Sequence, residues 1–194
     1  MEIEYEAAFT NVNVEEMRQK LRDSGAELLR PEFEQKRTVY NLPKESGITG
    51  GFARVRDEGD KITLSIKAIT GDKIEDQRES CITVDSFEEA GKILEILGCE
   101  RKAYQQTRRE LWILDGVEVT IDTWPFLEPF VEVEGESEEV VKKVSEQLGF
   151  DWDTAKFGSV DSLYEEKYGV AKDVVNNHTP KIVFEMENPF LNSN

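Results

Sequence analysis

The segment FVEVEG at residues 130–135 alternates apolar and acidic side chains. Successive side chains of a β-strand point to opposite faces of the sheet, so Glu132 and Glu134 share one face while Val131 and Val133 share the other. A strand of this kind has one apolar face to bury and one face that carries negative charge. The segment therefore predicts a β-strand that lies between a hydrophobic core and a polar environment.

The same alternation recurs in three further segments, two of them acidic and one basic. These are Glu2, Glu4 and Glu6 in EIEYEAAF (residues 2–9), Glu118 and Asp122 in VEVTID (residues 117–122), and Arg54 and Arg56 in FARVRD (residues 52–57). A polar sheet face in water explains one or two such strands, and solvated strand faces remain the alternative for the whole set. Recurrence with both signs of charge favours a closed barrel whose apolar outer surface lies under helices and whose interior is charged.

A charged interior of this kind suits a metal-bound polyphosphate. Carboxylates hold a hard cation through oxygen, and basic side chains bind the phosphate oxygens. The pattern therefore predicts a ligand class as well as a fold.

Three amphipathic helices are predicted, each between a capping side chain and a glycine. The predicted N-caps are Asn13, Ser86 and Ser137, and the predicted stops are Gly25, Gly98 and Gly149. The strand-like runs approach eight in number, and Asp115-Gly116 gives the strongest hairpin signal of the chain. This count permits closure of the sheet. The predicted fold class is α+β: a closed antiparallel β-barrel of about eight strands with helices packed outside.

Charge and hydropathy narrow the function classes. The net charge of −17 over 194 residues argues against a nucleic-acid partner, because such a partner requires a basic surface that displaces counterions. No apolar run reaches the length that spans a bilayer, and the N-terminus begins on a charged strand rather than a signal peptide. A cytoplasmic protein without a membrane partner is therefore predicted.

The cysteines and the histidine argue against two further kinds of site. Cys81 and Cys99 are too few for a disulfide scaffold and lack metal-ligand spacing, so both are predicted to be reduced and packed in the core. His178 is the only histidine of the chain. A histidine-based triad and a zinc site built on histidines are therefore not expected.

In their order along the chain, these segments resemble the CYTH superfamily of class IV adenylyl cyclases, thiamine triphosphatases and related triphosphate tunnel metalloenzymes. The resemblance covers about residues 2–168. GFARVRD (residues 51–57) resembles a family strand with two inward arginines, and TLSIK (residues 63–67) resembles the next strand, which ends in an inward lysine. The stretch with a basic residue, a metal-side aspartate and two carboxylates is matched by RRELW (residues 108–112), DGVEVTID (residues 115–122) and PFLEPFVEVEG (residues 125–135).

The resemblance implies a tunnel-type barrel domain at residues 1–169 and a C-terminal extension at residues 170–194 that is either flexible or adds a strand. It also implies that a small-molecule triphosphate, such as ATP, thiamine triphosphate or inorganic triphosphate, binds together with Mg²⁺ or Mn²⁺. The implied metal ligands are Glu4, Glu6, Asp122, Glu132 and Glu134, the implied phosphate-binding residues are Arg54, Arg56, Lys67 and Arg109, and the implied catalytic residues are Glu4 and Glu6. Arg37 is predicted as a third catalytic residue, although it departs from the family pattern. A homodimer is left open.

The chain departs from the family pattern at two places. The family opens with an ExExK signature, and the best match here is Glu4, Glu6 and Ala8, which lacks the lysine. The second family strand often carries aspartates where this chain has Arg37 and Asn41. Arg37 either supplies the missing positive charge from a neighbouring strand or marks a different ligand.

Two hypotheses of different classes follow from the match and its departures. The first is a metal-dependent enzyme that acts on a triphosphate, either as a nucleotide cyclase or as a phosphohydrolase. The second is a non-catalytic sensor that binds a nucleotide or polyphosphate in the same tunnel, because Ala8 puts hydrolysis in doubt more than phosphate binding.

Overall fold

The computed structural model describes residues 1–191, and within this range the chain forms ten β-strands and five α-helices. The strands are β1 (Glu2–Ile3), β2 (Tyr5–Phe9), β3 (Glu27–Asn41), β4 (Gly51–Asp57), β5 (Ile62–Ile69), β6 (Gln77–Val84), β7 (Glu100–Leu114), β8 (Val117–Thr123), β9 (Phe130–Gly135) and β10 (Lys181–Ile182). The helices are α1 (Val14–Asp23), α2 (Phe87–Ile96), α3 (Glu138–Gln147), α4 (Asp161–Tyr168) and α5 (Lys172–Asn177).

Nine of these strands follow one another around a nearly closed antiparallel barrel in the order β1-β6-β5-β4-β3-β7-β8-β9-β2. The first and last members of this order are consecutive in sequence and are separated only by Glu4. Strand β1 pairs with β6 and strand β2 pairs with β9, so the N-terminal segment joins both edges of the sheet. At the junction, the backbone N–H of Glu4 donates to the carbonyl of Gln77 over 3.0 Å, and Gln77 Nε2 donates to the carbonyl of Glu6 over 3.0 Å. The predicted fold class is confirmed.

The helices cover the apolar outer surface of the barrel, as predicted. Helices α1 and α3 pack on β2, β8 and β9 through a core that includes Phe9, Leu21, Val133 and Val144, all nearly inaccessible to solvent. Helix α2 packs on β4 and β5 in a second cluster around Val55. In the described part of the chain, none of the helices combines the length and apolar character that crossing a bilayer requires.

The helix starts follow the predicted caps. The side chain of Asn13 accepts hydrogen bonds from the backbone N–H groups of Glu15 and Glu16. Ser86 and Ser137 accept in the same way at α2 and α3. A capped N-terminus satisfies backbone donors that have no partner inside the helix, which fixes where each outer helix begins.

A C-terminal cap, residues 158–191, covers one end of the barrel. Its helix α4 is tied to the loop after β8, because the hydroxyl groups of Tyr164 and Tyr168 donate to the carbonyls of Pro125 and Phe126 over 2.8 and 2.5 Å. Phe190 packs against Tyr164 with 4.8 Å between ring centres. Tyr164 and Phe190 belong to an apolar cluster to which the extension predicted from residue 170 also contributes Ile182, in β10. Residues 192–194 of this extension lie outside the described residues.

Two local features differ from the sequence-based expectations. Strand β3 starts at Glu27, well before the predicted run FEQKRTVYN, because it pairs along most of β7 through register shifts that accommodate Pro31. The placement of Cys81 in the core was wrong. Cys99 is buried, but Cys81 is exposed and faces the barrel interior, because it lies directly opposite Ser65 on the polar face of β5.

Truncation of Phe190 tests whether the cap is packed as an integral part of the fold. Phe190→Ala removes a ring that is 3% exposed, and we expect it to lower the free energy of unfolding by about 3 kcal/mol. Leu191→Ala is the control, since Leu191 is 68% exposed and its loss changes stability by less than about 0.5 kcal/mol. Urea denaturation measures both; equal stability of the two variants would contradict the packing of the cap.

Candidate functional site

The barrel encloses a cavity of about 950 Å³. Side chains from the inward faces of the strands line it, and residues of the cap, among them Asp161 and Tyr164, line it at one end. Nine of the ten sequence-predicted site residues reach this cavity: Glu4, Glu6, Arg37, Arg54, Arg56, Lys67, Arg109, Glu132 and Glu134. The tenth, Asp122, is 1% exposed and lies behind Arg109.

Three carboxylates converge on one wall of the cavity. Glu6 and Glu134 lie directly opposite each other on β2 and β9, and Glu4 occupies the junction between β1 and β2. One carboxylate oxygen from each of the three residues lies within 4.8 Å of the other two. The ammonium group of Lys67 contacts this cluster, with Nζ 2.7 Å from Glu4 Oε2 and 3.4 Å from Glu6 Oε1.

Two carboxyl groups of this cluster, Glu4 and Glu134, resist ionisation. Burial, followed by repulsion from Glu6, raises the pKa of Glu4 to about 7. Burial, followed by repulsion from Glu6 and Glu4, raises the pKa of Glu134 to about 8. When all three carboxylates are ionised, Lys67 leaves two negative charges unbalanced, which one divalent cation would balance. The oxygen-only donor set and the charge therefore fit Mg²⁺ or Mn²⁺.

The other two predicted metal ligands engage an arginine. Arg109 binds Asp122 through two parallel hydrogen bonds, Nε to Oδ1 over 2.8 Å and one terminal nitrogen to Oδ2 over 2.7 Å. The same terminal nitrogen lies 2.6 Å from Glu132 Oε2, and Thr120 donates to Asp122 over 2.9 Å. Burial opposes ionisation of Asp122, but Arg109 outweighs it and lowers the pKa of this carboxyl. Burial, reinforced by Glu6 and Asp122, raises the pKa of Glu132 well above its ordinary value.

A basic wall faces these carboxylates. Arg54 forms an ion pair with Glu79 over 2.9 Å, and Arg56 Nε lies 2.8 Å from Glu58 Oε1. Burial lowers the pKa of Arg56 to about 10, and the neighbouring charge of Arg54 contributes to this shift. Sequence reasoning missed Glu58 and Glu79. Glu79 is flanked in β6 by the polar residues Arg78 and Ser80, so the segment lacks the apolar/charged alternation of the predicted strands, and Glu58 lies in a turn that also lacks it.

Arg37 lies on the same wall, directly opposite Arg56 in the β3–β4 pair. One terminal nitrogen donates to Gln35 Oε1 over 2.8 Å and to Thr107 Oγ1 over 2.7 Å. Its guanidinium carbon lies 4.7 Å from the centre of the Trp124 ring. Gln35, Thr107 and Trp124 were not among the predicted site residues, because a neutral side chain on an inward face gives no sign of its role in the sequence.

Ala8 takes the position that the family lysine occupies in the best sequence match. It lies opposite Glu132 on β9, and its backbone forms two hydrogen bonds of 2.9 Å with Lys156. The methyl group packs against the apolar cluster of the cap, which includes Trp124 and Tyr164. At this point of the tunnel, the chain therefore has a methyl group in an apolar cluster where the family has a lysine side chain.

Comparison with known proteins agrees with this architecture. The family model of the CYTH domain matches residues 1–157, and the chain belongs to this family. None of the curated proteins matches the sequence.

Solved structures show the same fold at low sequence identity. A conserved hypothetical protein from Pyrococcus furiosus superposes with a TM-score of 0.66 at 22% identity, over 79% of this chain and 94% of its own. A candidate adenylate cyclase from Vibrio parahaemolyticus gives 0.71 at 14% identity, over 84% and 97%. A candidate adenylyl cyclase from Hippeastrum, described with a dominant triphosphatase activity, gives 0.52 at 13% identity, over 88% and 97%.

The raised pKa values of Glu4 and Glu134 predict how stability depends on pH without metal. Both folded-state values exceed the ordinary value of 4.5, so the folded protein holds more protons than the unfolded chain between about pH 5 and 8. The free energy of unfolding therefore falls as pH rises through this range. Thermal denaturation in a chelator at successive pH values measures it, and we expect Glu134→Gln to remove on the order of 1–3 kcal/mol of this loss.

The control variant is Glu138→Gln, because Glu138 is exposed in the first turn of helix α3 and does not line the cavity. It should retain the wild-type pH dependence. Mg²⁺ or Mn²⁺ should stabilise the wild-type protein more at pH 8 than at pH 6, since the ligands must lose their protons to bind. A stability that stays constant or rises from pH 6 to 8 in chelator would contradict this account of the cluster.

Proposed function

We propose that this protein is a metal-dependent enzyme that processes nucleoside or other organic triphosphates, or inorganic triphosphate, in the cytoplasm. The observation that carries the proposal is the division of one cavity into a three-carboxylate wall with Glu4, Glu6 and Glu134 and a wall of guanidinium groups. Such a division suits a polyphosphate with a bound divalent cation: the carboxylates would bind the cation, and the guanidinium groups would bind phosphate oxygens that the cation does not contact.

Each wall has its own task in the proposed reaction. Glu4, Glu6 and Glu134 would hold Mg²⁺ or Mn²⁺, and the bound cation would supply positive charge near a phosphoryl oxygen. The cations of the cavity hold the phosphate chain; they are Arg54, Arg56, Lys67 and Arg109. Since most of the catalysis in phosphoryl transfer comes from positioning and electrostatics, a rigid set of cations is what the reaction requires.

The acidic partners of the arginines keep this set in place before the substrate arrives. Asp122 and Glu132 hold the guanidinium of Arg109, and Glu79 holds that of Arg54. Phosphate oxygens bind the same donors, so the substrate replaces some of these contacts instead of organising the side chains anew. Asp122 and Glu132 are thus proposed to position Arg109 in addition to their implied role at the metal.

Arg37 is proposed to supply the positive charge that Ala8 does not. Both residues contact the same surroundings, because Arg37 stacks on Trp124 and Ala8 packs on the cluster that contains Trp124. Arg37 and Ala8 therefore border the same apolar cluster, and Ala8 is the position at which the family signature carries its lysine.

Two reactions fit this arrangement. In a cyclase, a ribose hydroxyl attacks the α-phosphorus and pyrophosphate leaves; in a phosphohydrolase, water attacks the terminal phosphorus and orthophosphate leaves. The Vibrio and Hippeastrum structures support the general class, since they pair this fold with a candidate adenylate cyclase and with a triphosphatase activity. A sensor that binds triphosphate without turnover is the second candidate, and the apolar packing around Ala8 favours it.

Product analysis separates these functions. Purified protein is incubated with ATP, inorganic triphosphate or thiamine triphosphate, with Mg²⁺ or Mn²⁺ or in excess chelator, and the products are resolved by chromatography. We expect turnover that the chelator abolishes and that Glu134→Gln lowers at least about 100-fold in kcat/KM, because a metal ligand is lost. Cyclic AMP with pyrophosphate identifies the cyclase, and orthophosphate identifies the hydrolase.

Glu138→Gln is again the matched control and should leave turnover unchanged. Tight binding of triphosphate without product over long incubation would favour the sensor. Equal turnover with and without chelator would contradict the metal-dependent mechanism.

A further inference from the structure

Arg37 is a buried cation that has no acidic partner among residues 1–191. Its side chain lines the cavity although the residue is only 6% exposed. Within residues 1–191, the ion pairs of the cavity include Arg54, Arg56, Lys67 and Arg109 but not Arg37. Burial of an unpaired charge is unfavourable by several kcal/mol, so an arginine in this position requires an explanation.

The neutral neighbours of Arg37 satisfy only part of its hydrogen-bonding capacity. One terminal nitrogen donates to Gln35 and Thr107, but the buried Nε has no acceptor. The amide nitrogen of Gln35 is also buried without an acceptor. Because guanidinium groups only donate, Gln35 must turn its oxygen towards Arg37, and its nitrogen is left over. Among residues 1–191 the neutral neighbours therefore compensate the charge of Arg37 only in part. Arg37, unlike Gln35, lines the cavity, so a ligand in the cavity can reach this residue.

The electrostatic surroundings add to the deficit of negative charge. Burial, followed by the like charges of Arg54, Arg56 and Arg109, lowers the pKa of Arg37 well below its ordinary value, and Asp122 opposes this shift only as the weakest contribution. Stacking on Trp124 offsets only part of the desolvation of a guanidinium group. The missing element is a negatively charged group with several acceptor oxygens.

We propose that Arg37, which lines the cavity, forms an oxyanion subsite that binds the unsubstituted terminal phosphate of the substrate without help from the metal. The enclosure of Arg37 by Gln35, Thr107 and Trp124 favours the end of a phosphate chain over an esterified phosphate, which carries a bulky group. The substrate then lies in the tunnel with its free end at Arg37. This inference rests on the proposed function for its substrate class and adds the orientation of the substrate.

The first test measures the binding of inorganic triphosphate to the full chain in excess chelator by isothermal titration calorimetry. We expect the wild-type protein to bind and Arg37→Gln to weaken binding about 10–100-fold, because charge-assisted hydrogen bonds are lost. Lys36→Gln is the matched control, since Lys36 precedes Arg37 on β3 but is exposed. Arg37→Lys keeps the charge and should restore part of the affinity.

The second test distinguishes a free phosphate end from an esterified one. ATP has one unsubstituted terminal phosphate, whereas diadenosine triphosphate carries an ester at both ends. Arg37→Gln should weaken binding of ATP and leave the binding of diadenosine triphosphate unchanged. Equal weakening of both ligands would overturn the assignment of the terminal phosphate to Arg37.

Thermal denaturation shows whether the substitution acts through folding. Without ligand, Arg37→Gln should be at least as stable as the wild type, because a buried charge without a partner has been removed. It should also lose most of the stabilisation that inorganic triphosphate gives the wild type in chelator. A variant that is less stable without ligand, yet is stabilised by triphosphate as strongly as the wild type, would overturn the subsite.

These results separate the subsite from the proposed function. If Arg37→Gln abolishes metal-free binding and the wild type shows no turnover, the subsite is supported and the proposed enzymatic function is contradicted. If the wild type turns triphosphate over but does not bind it in chelator, or if Arg37→Gln binds it as the wild type does, the enzyme stands and the subsite fails.

Discussion

Closure of the barrel by the N-terminal segment is the constraint on which the charged interior depends. Strands β1 and β2 are consecutive in sequence, yet they pair with β6 on one side and β9 on the other. This pairing brings Glu6 opposite Glu134 and places Glu4 beside Lys67 on β5. Without it, the acidic and basic strands would form an open sheet with a solvated polar face, and their pKa values would stay near the ordinary ones.

Closure has an electrostatic consequence that differs between the two walls. On the acidic wall, Glu4 and Glu134 lie close to Glu6, and burial together with repulsion from Glu6 raises their pKa values. On the basic wall, Glu79 compensates Arg54 and Asp122 compensates Arg109, whereas no carboxylate among residues 1–191 forms an ion pair with Arg37. The fold therefore holds an excess of negative charge on one side and a guanidinium without counterion on the other. A metal-bound triphosphate satisfies both demands at once.

The sequence predicts the inward faces of this barrel well, because period-two alternation of charge is a local property of each strand. The residues Glu132 and Glu134, and likewise Arg54 and Arg56, could be assigned to one face before any pairing was known. The sequence does not predict which side chains pair across strands, since this depends on strand register and on closure of the barrel. The bidentate contact of Arg109 with Asp122 and the contact of Arg54 with Glu79 follow from which strands become neighbours, and no local pattern encodes that.

Neutral contributors were also beyond sequence reasoning. Gln35 and Thr107 carry no charge signal, and the cap reaches the cavity from residues that follow the family match at 1–157.

Crystals soaked with Mn²⁺ and a non-hydrolysable triphosphate analogue would test the central claim most directly through anomalous diffraction. The account predicts a manganese peak among Glu4, Glu6 and Glu134, with phosphate density against the arginines. A manganese peak elsewhere, or phosphate density outside the barrel, would contradict it.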